Sequence, residues 1–462
     1  MQTLNRPAQT APAQAESCHL DAVGSGARRG PITMGLVWVT MVASFPGVLI
    51  GLDWHTQGFS LPSVLGALGL CMAVLLIYSV PMCVLAAKTG LSFKFLCRKY
   101  FGNGFSKLLT VCVVVLYLGW YAVMSLLMAD ACSGLIGSKQ YLAPLAFVFS
   151  FAMAFNNFFG FKGVANFARF VGGPAIICWI VYMFIRVAPD IPLCLKQASS
   201  AASAASSVPF SLVLCGVSQS IVGFVIWGNE ADYWRNSTTN PGKISLALCS
   251  ALIVGAVVFP LTGWLVGART GITDAMVATD YLNKFAFGGA GLVALLFLAA
   301  QYFAANDSNL YAFAHAAESF TKMTHKKTVL ALAVLAGILA AFMAVSGTQS
   351  ALEAICALNG VILPTASLIV LAECIVIRRG NLSQNANIPA VGRSAVIAWA
   401  AGMVLGIATS GIIPGTKGLH FGVPILEAWM LALALYIPLR KMELSAASTA
   451  KPQSIVQPSP VS

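Results

Sequence analysis

The sequence predicts an all-α polytopic membrane protein of twelve transmembrane helices, and three observations carry that reading. Of the 462 residues, 58% are apolar and only 9% charged, with a mean hydropathy of +0.83. A soluble domain carries roughly a quarter charged residues, so this composition cannot coat a water-facing surface. Apolar runs of roughly 18 or more residues recur along the chain, each long enough to cross a hydrocarbon core of ~30 Å as a helix. The basic residues are also distributed unequally between alternate loops, as membrane topology requires. A soluble enzyme, a nucleic-acid binder and a disulfide-stapled secreted domain are excluded, and the bundle is expected to pack as one unit.

Residues 1–30 are polar and rich in Ala, Gln and Ser, and are expected to form a disordered cytoplasmic tail with no signal peptide. Spans are expected to begin near Pro31, Leu61, Lys107, Leu142, Ala165, Val208, Gly242, Gly289, Thr328, Ser350, Val391 and Phe421, the last ending near Leu439. Residues 440–462, ending in a Ser/Pro/Gln run, are expected to be a second disordered tail. With the N-terminus in the cytoplasm, 21 of the 27 Lys and Arg fall on the tails and even-numbered loops. Six (Lys139, Arg186, Lys196, Arg269, Lys284 and Lys417) fall on the other side. Both termini are therefore expected in the cytoplasm, and the net charge of +12 needs no polyanionic partner. The twelve cysteines sit almost entirely inside apolar segments without C-x-x-C spacing, and read as small core residues.

Twelve spans fit a five-plus-five inverted repeat (about 31–187 and 208–377) followed by two further helices (about 391–439). Sites in that architecture form where the first helix of each repeat is broken. Span one carries Ser44-Phe45-Pro46-Gly47 at mid-membrane, and span six carries Gly216, Gln219-Ser220, Gly223 and Gly228. Pro46 lacks an amide donor and obstructs the preceding turn, freeing carbonyls to face a ligand or cation, although an ordinary kink has the same signature.

Polar groups at membrane depth are costly and so are candidates for function. Span eight holds the densest set, from Gln301 through Asn306, Asp307 and Asn309. Asn306 and Asn309 share a helix face, and their amides suit the donor–acceptor edge of a flat heterocycle or, alternatively, an interhelical clamp. In span three Tyr117 and Trp120 share a face beside Gly119, with Trp120 in place to stack on a planar ligand. Trp227, near the end of span six, could close an aromatic sandwich. Glu230 and Asp232 follow at the boundary. Asp53 and His55, and Asp130, Glu353, Glu373 and Glu427, lie toward span ends and read as solvated. No H-E-x-x-H, G-x-S-x-G or Walker-type motif occurs, and the five histidines are scattered, so no enzyme is expected.

Several motifs stand in order along the chain: Ala87-Lys88-Thr89-Gly90-Leu91 with Arg98 and Phe101-Gly102, then Gly119-Trp120, and Phe158-Phe159-Gly160 through Pro174-Ala175. Ala231-Asp232-Tyr233, and Asn306-Asp307 with Leu310-Tyr311, complete the set. Together they resemble the nucleobase–cation symporter-1 family, the purine and cytosine permeases. The resemblance spans nearly all of 31–439. It implies the leucine-transporter fold, alternating access in the cytoplasmic membrane, and a planar nitrogen heterocycle held between helices one, three, six and eight. On that basis Trp120 and Trp227 would stack on the ring. Tyr117, Phe45, Gln219, Ser220, Asn306 and Asn309 would complete the substrate site, while Ser44, Gln301, Asp307 and Glu230 would couple the cation.

Two departures matter. Cytosine permeases of this family carry a Gln where Tyr117 stands. Sodium-coupled members carry hydroxyls where Ala304-Ala305 stand, and a methyl cannot replace an oxygen ligand for a hard cation. Proton coupling through Asp307 or Glu230 is the counterpart expectation, since a buried carboxyl can titrate in the working range. No cofactor beyond a coupling ion (proton or sodium), no nucleic acid and no obligate protein partner are expected. A passive facilitator, and a carrier of hydroxymethylpyrimidine, allantoin or a hydantoin, remain alternatives.

Overall fold

In the computed structural model, residues 23–193, 196, 208–272, 288–318, 320–321, 323–346, 348–380, 391–413, 415–416 and 419–449 are described, and among them the chain is helical throughout. The first apolar run gives α1 (Pro31–Val42) and α2 (Phe45–Thr56), whose axes meet at 47°. Next come α3 (Leu61–Thr89) and α4 (Phe93–Ile136). Gly102 takes a φ of 87° inside α4, which sets residues 93–101 apart from the long span that follows. α5 (Leu142–Ala152), a short 3-10 turn at Phe155–Phe159, α6 (Gly160–Phe167) and α7 (Gly173–Val187) continue the first half.

The second half contains α8 (Phe210–Val225), α9 (Glu230–Trp234), α10 (Pro241–Leu252), α11 (Phe259–Thr270) and α12 (Gly291–Glu318). It closes with α13 (His325–Ser346), α14 (Thr348–Ala372), α15 (Arg393–Thr409) and α16 (Pro424–Thr449). Proline stands in the first turn of α1, α2, α3 and α10, where its missing N–H costs no helical bond. Among the described residues, seven helical stretches are long and apolar enough to cross a membrane, or eight if the bent α1–α2 pair is one crossing. The protein is thus a multi-pass membrane protein.

α4 and α14 are the most buried of these stretches and α13 the least. α12 lies against α4 and α1. The outward faces carry bare apolar side chains, including Ile77, Val115, Phe342 and Val345, as a lipid-facing surface does.

Both tails are shorter than the sequence suggests. Residues 23–30 are tied to the bundle. The Val23 amide donates to the Gly90 carbonyl (3.1 Å), Arg29 pairs with the strand-like segment at Ser237, and the Arg28 guanidinium donates to the Ala87 carbonyl. At the other terminus α16 runs on to Thr449, because Arg440 reaches Glu373 (3.2 Å) and Glu443 (2.8 Å). Glu373 is therefore not solvated. It is fully buried and also binds Arg378 and the Tyr436 hydroxyl. The rest of the expected tails lies outside the described residues.

Candidate functional site

The first crossing is broken where the Ser-Phe-Pro-Gly run predicts. Ala43 (φ −122°, ψ 102°) and Ser44 (φ −155°, ψ 169°) are extended, and α2 restarts at Phe45 with Pro46 in its first turn. Pro46 supplies no N–H to the turn before it, so the α1 ladder stops there. The Ser44 hydroxyl is buried and has no hydrogen-bond partner. Phe45 lies edge-on to Trp179 (6.3 Å) and Tyr302 (6.5 Å).

A second break separates α8 from α9 at residues 226–229. Gly228 has a φ of 81°, and a Cβ there would run into Leu363 and Pro364 of α14. Backbone groups freed at membrane depth need partners inside the protein, and these have them. The Asn359 amide donates to the Gly223 (2.9 Å) and Ile226 (2.7 Å) carbonyls, and the Ser367 hydroxyl to that of Gly228. The Glu230 carboxylate accepts from the Trp227 and Gly228 amides (3.1 Å each) and from the Tyr78 hydroxyl (2.9 Å). Asn229 accepts from the Tyr117 hydroxyl and donates to Asp232 (3.0 Å), which also accepts from the Phe93 amide (2.9 Å). Glu230, Asp232 and Tyr117 thus hold the break together. The sequence reading had not singled out Asn359, Ser367 or Tyr78; a lone Asn inside the apolar run of α14 was the available signal.

Beside this break the predicted aromatics meet. Trp120 is wholly buried, its ring 5.3 Å from that of Trp227 at 43° and 5.9 Å from Phe224. Tyr117 lies 5.0 Å from Trp227. Neither indole N–H has a partner. A flat ring between the two indoles needs a carbon contact on each side, roughly 7–8 Å in all, so the two plates are shut on one another. The glycine beside Trp120 serves a packing purpose. A Cβ on Gly119 would come within 2.8 Å of Ile355 of α14.

On α12 the four predicted residues divide. The Asn306 amide donates to the Tyr121 carbonyl (3.1 Å) and Ser125 hydroxyl (3.2 Å) of α4, and its oxygen accepts from Asn309 (3.2 Å). Asp307 accepts from Asn156 (2.7 Å) and Asn157 (3.4 Å) of the 3-10 turn. These are clamps between elements. Gln301, by contrast, is wholly buried with neither amide atom bonded, and the Asn309 oxygen is also unpartnered. The Ala304 methyl packs against Gly172, beside Thr40 of α1. Among the described residues no group of three or more His, Cys, Asp or Glu side chains is placed to hold a metal ion.

A cavity of about 690 Å³ lies between α2, α8, α14 and the end of α15, at the end of the bundle away from the two described termini. Gln219 lines it with both amide atoms unpartnered, and Ser220 lines it with its hydroxyl turned to the Gly216 carbonyl (2.7 Å). Asp53 and Glu353, expected to be solvated loop or span-end groups, line it too. Phe224, about one helical turn past Gln219 on α8, packs on Trp120, so the aromatic plates lie beyond the cavity. At the opposite end aromatic side chains pack together. Trp38 packs edge-on against Tyr233 (6.0 Å) and Trp234 (5.9 Å), and the Tyr233 hydroxyl donates to the Ser308 carbonyl (2.7 Å).

The profile of a family described as permease for cytosine/purines, uracil, thiamine, allantoin matches residues 30–424. The chain belongs to this family. The permease has no significant match among curated protein sequences. Among solved structures it is similar to Mhp1, a nucleobase-cation-symport-1 family transporter, in a closed conformation with bromovinylhydantoin bound. The TM-score is 0.69 at 17% identity, over 93% of this chain and 96% of that one. Mhp1 in its inward-facing conformation gives 0.68 at 16%, over 92% and 95%. A substrate-bound, outward-open Na+-coupled sialic acid symporter gives 0.64 at 13%, over 92% of both chains. The permease shares the fold of these transporters, and it is not an enzyme.

Proposed function

We propose that the permease imports a planar nitrogen heterocycle of the purine or cytosine kind across the cytoplasmic membrane, by alternating access coupled to a cation gradient. In this reading the twelve helical spans form two inverted five-helix repeats plus two helices, with both termini cytoplasmic. The observation that carries it is the dry Trp120–Trp227 pair below a polar cavity and beside the two helix breaks. A heterocycle enters the cavity, exchanges hydrogen bonds with Gln219, and passes between the indoles as they part by one ring thickness. Stacking favours any flat ring, and the polar groups at its edge supply selectivity. Closure of the cavity and release of the Trp38–Tyr233 seal would then discharge it on the other side.

Coupling is assigned to the broken first helix and α12, through Ser44, Gln301 and Asp307, with Glu230 bracing the second break. The methyls at Ala304 and Ala305 favour a proton over sodium. A passive facilitator needs a continuous polar path, and the shut indoles argue against one. Uptake of labelled heterocycles into proteoliposomes under imposed gradients tests all of this. Accumulation above the external concentration, equal with and without sodium and abolished by a protonophore, is expected. Simple equilibration would favour the facilitator, and strict sodium dependence would overturn the proton assignment.

A further inference from the structure

A basic cluster stands at the end of the bundle where the described termini lie, around the segment that Gly102 sets apart from the rest of α4. Within residues 93–101, Phe93, Leu96, Cys97, Tyr100 and Phe101 are buried. Lys94 and Arg98 share the neighbouring, partly exposed face, one helical turn apart. In a straight helix Lys107 would stand about 20 Å along the axis from Lys94. The turn at Gly102 (φ 87°) folds it back, so that the charges acting on Lys94 are those of Arg98 and Lys107, both positive. Among the described residues, none of these three cations makes a salt bridge, and the Arg98 Nε is out of solvent with no hydrogen-bond partner. The carboxylates that the segment does meet are engaged elsewhere. Asp232, at the Phe93 amide, holds Asn229, and Glu373, near Lys99, holds Arg378 and Arg440.

Next to the cluster the surface turns apolar. Lys107 is exposed, and directly after it Leu108, Val111 and Val115 are bared along one stripe of the long span. Basic groups at the rim, with a bare aliphatic stripe running from them into membrane depth, match the two ends of one lipid molecule. We propose that Lys94, Arg98 and Lys107 bind the phosphate of an anionic phospholipid whose acyl chains lie along Leu108, Val111 and Val115. A phosphate oxygen gives the Arg98 N–H the acceptor it lacks, and the lipid's net negative charge offsets cations that otherwise repel one another. A zwitterionic lipid carries its own ammonium and offsets them less. The site lies apart from the cavity and the aromatic plates, and it stands whatever the permease carries.

The test uses the purified full-length permease in a non-ionic detergent, titrated with phosphatidylglycerol, phosphatidylcholine or inorganic phosphate. Retained lipid is read by native mass spectrometry, together with the thermal midpoint. Phosphatidylglycerol should be held roughly tenfold or more tightly than phosphatidylcholine and should raise the midpoint. Arg98→Gln, and the double variant Lys94→Gln/Lys107→Gln, should each cut that preference at least about fivefold. Lys326→Gln/Lys327→Gln removes two other exposed charges, at the start of α13, and should leave it unchanged. That control separates this site from general attraction to a positive face. If Arg98→Gln fails to fold, the lysine pair and the comparison of lipids on the unaltered protein still decide. Equal retention of the two lipids overturns the site, as does a preference unmoved by the cluster variants or lost equally in the α13 pair. Inorganic phosphate raising the midpoint as far as phosphatidylglycerol does also overturns it, in favour of a site for the free ion.

Discussion

Gln219 lines the cavity and its amide, out of solvent, has neither polar atom bonded, whereas the Asn306 amide is divided between α4 and Asn309. An unbonded buried amide is costly unless something else meets it, and a bonded one holds its neighbours in place. Gln219→Leu is therefore expected to weaken heterocycle binding about tenfold while leaving the thermal midpoint unchanged. Asn306→Ala is expected to lower stability by about 1–3 kcal/mol, seen as a lower midpoint before any change in substrate preference. Quenching titrations and thermal melts on both variants check this, and the reverse pattern would put the base-reading amide on α12. That Trp120 and Trp227 meet was legible because spans three and six each place an indole inside the same bundle. The role of Asn306 was not, because an amide suits a clamp as well as a ligand and only the placement of Tyr121 and Ser125 decides between them.

The two helix breaks differ in how they are supported. The first leaves the Ser44 hydroxyl unpartnered, while the second is held by Asn359, Ser367, Tyr78 and Glu230. Asn359→Leu removes the donor from two carbonyls at once. Each orphaned group costs roughly 1–3 kcal/mol, so a marked loss of stability is expected even though Asn359 is not assigned to the substrate. An unchanged melt would mean that α8 can reform as an unbroken helix. The break at Pro46 could be read from the sequence because proline acts locally. The position of the second break could not, since Gly216, Gly223 and Gly228 look alike in the sequence, neighbouring elements press on all three, and only Gly228 takes a positive φ, of 81°. The extension of α16 past residue 440 was hidden for a similar reason. Arg440 and Glu443 read as solvated until the buried Glu373 on another element supplies the partner.

At the scale of the molecule, the described bundle holds a polar-lined cavity toward one end and an aromatic cluster toward the other. Gln219 of the cavity lining lies about one helical turn from Phe224, which packs on Trp120, and Trp38 packs on Tyr233 and Trp234 toward the end where the described termini lie. Composition and the period of the apolar runs made the membrane class and the approximate helix starts legible, because crossing a bilayer fixes both. Which end holds the cavity follows from packing between distant helices, about which a single sequence says little. A cavity with a shut pair of plates beyond it is what a carrier needs before it commits to a substrate. The most direct measurement is the separation of the Trp120 and Trp227 rings in a structure of the permease with a bound heterocycle. The account predicts that they move from 5.3 Å to roughly 7–8 Å with the ligand ring between them; indoles still in mutual contact, with the heterocycle bound elsewhere, would contradict it.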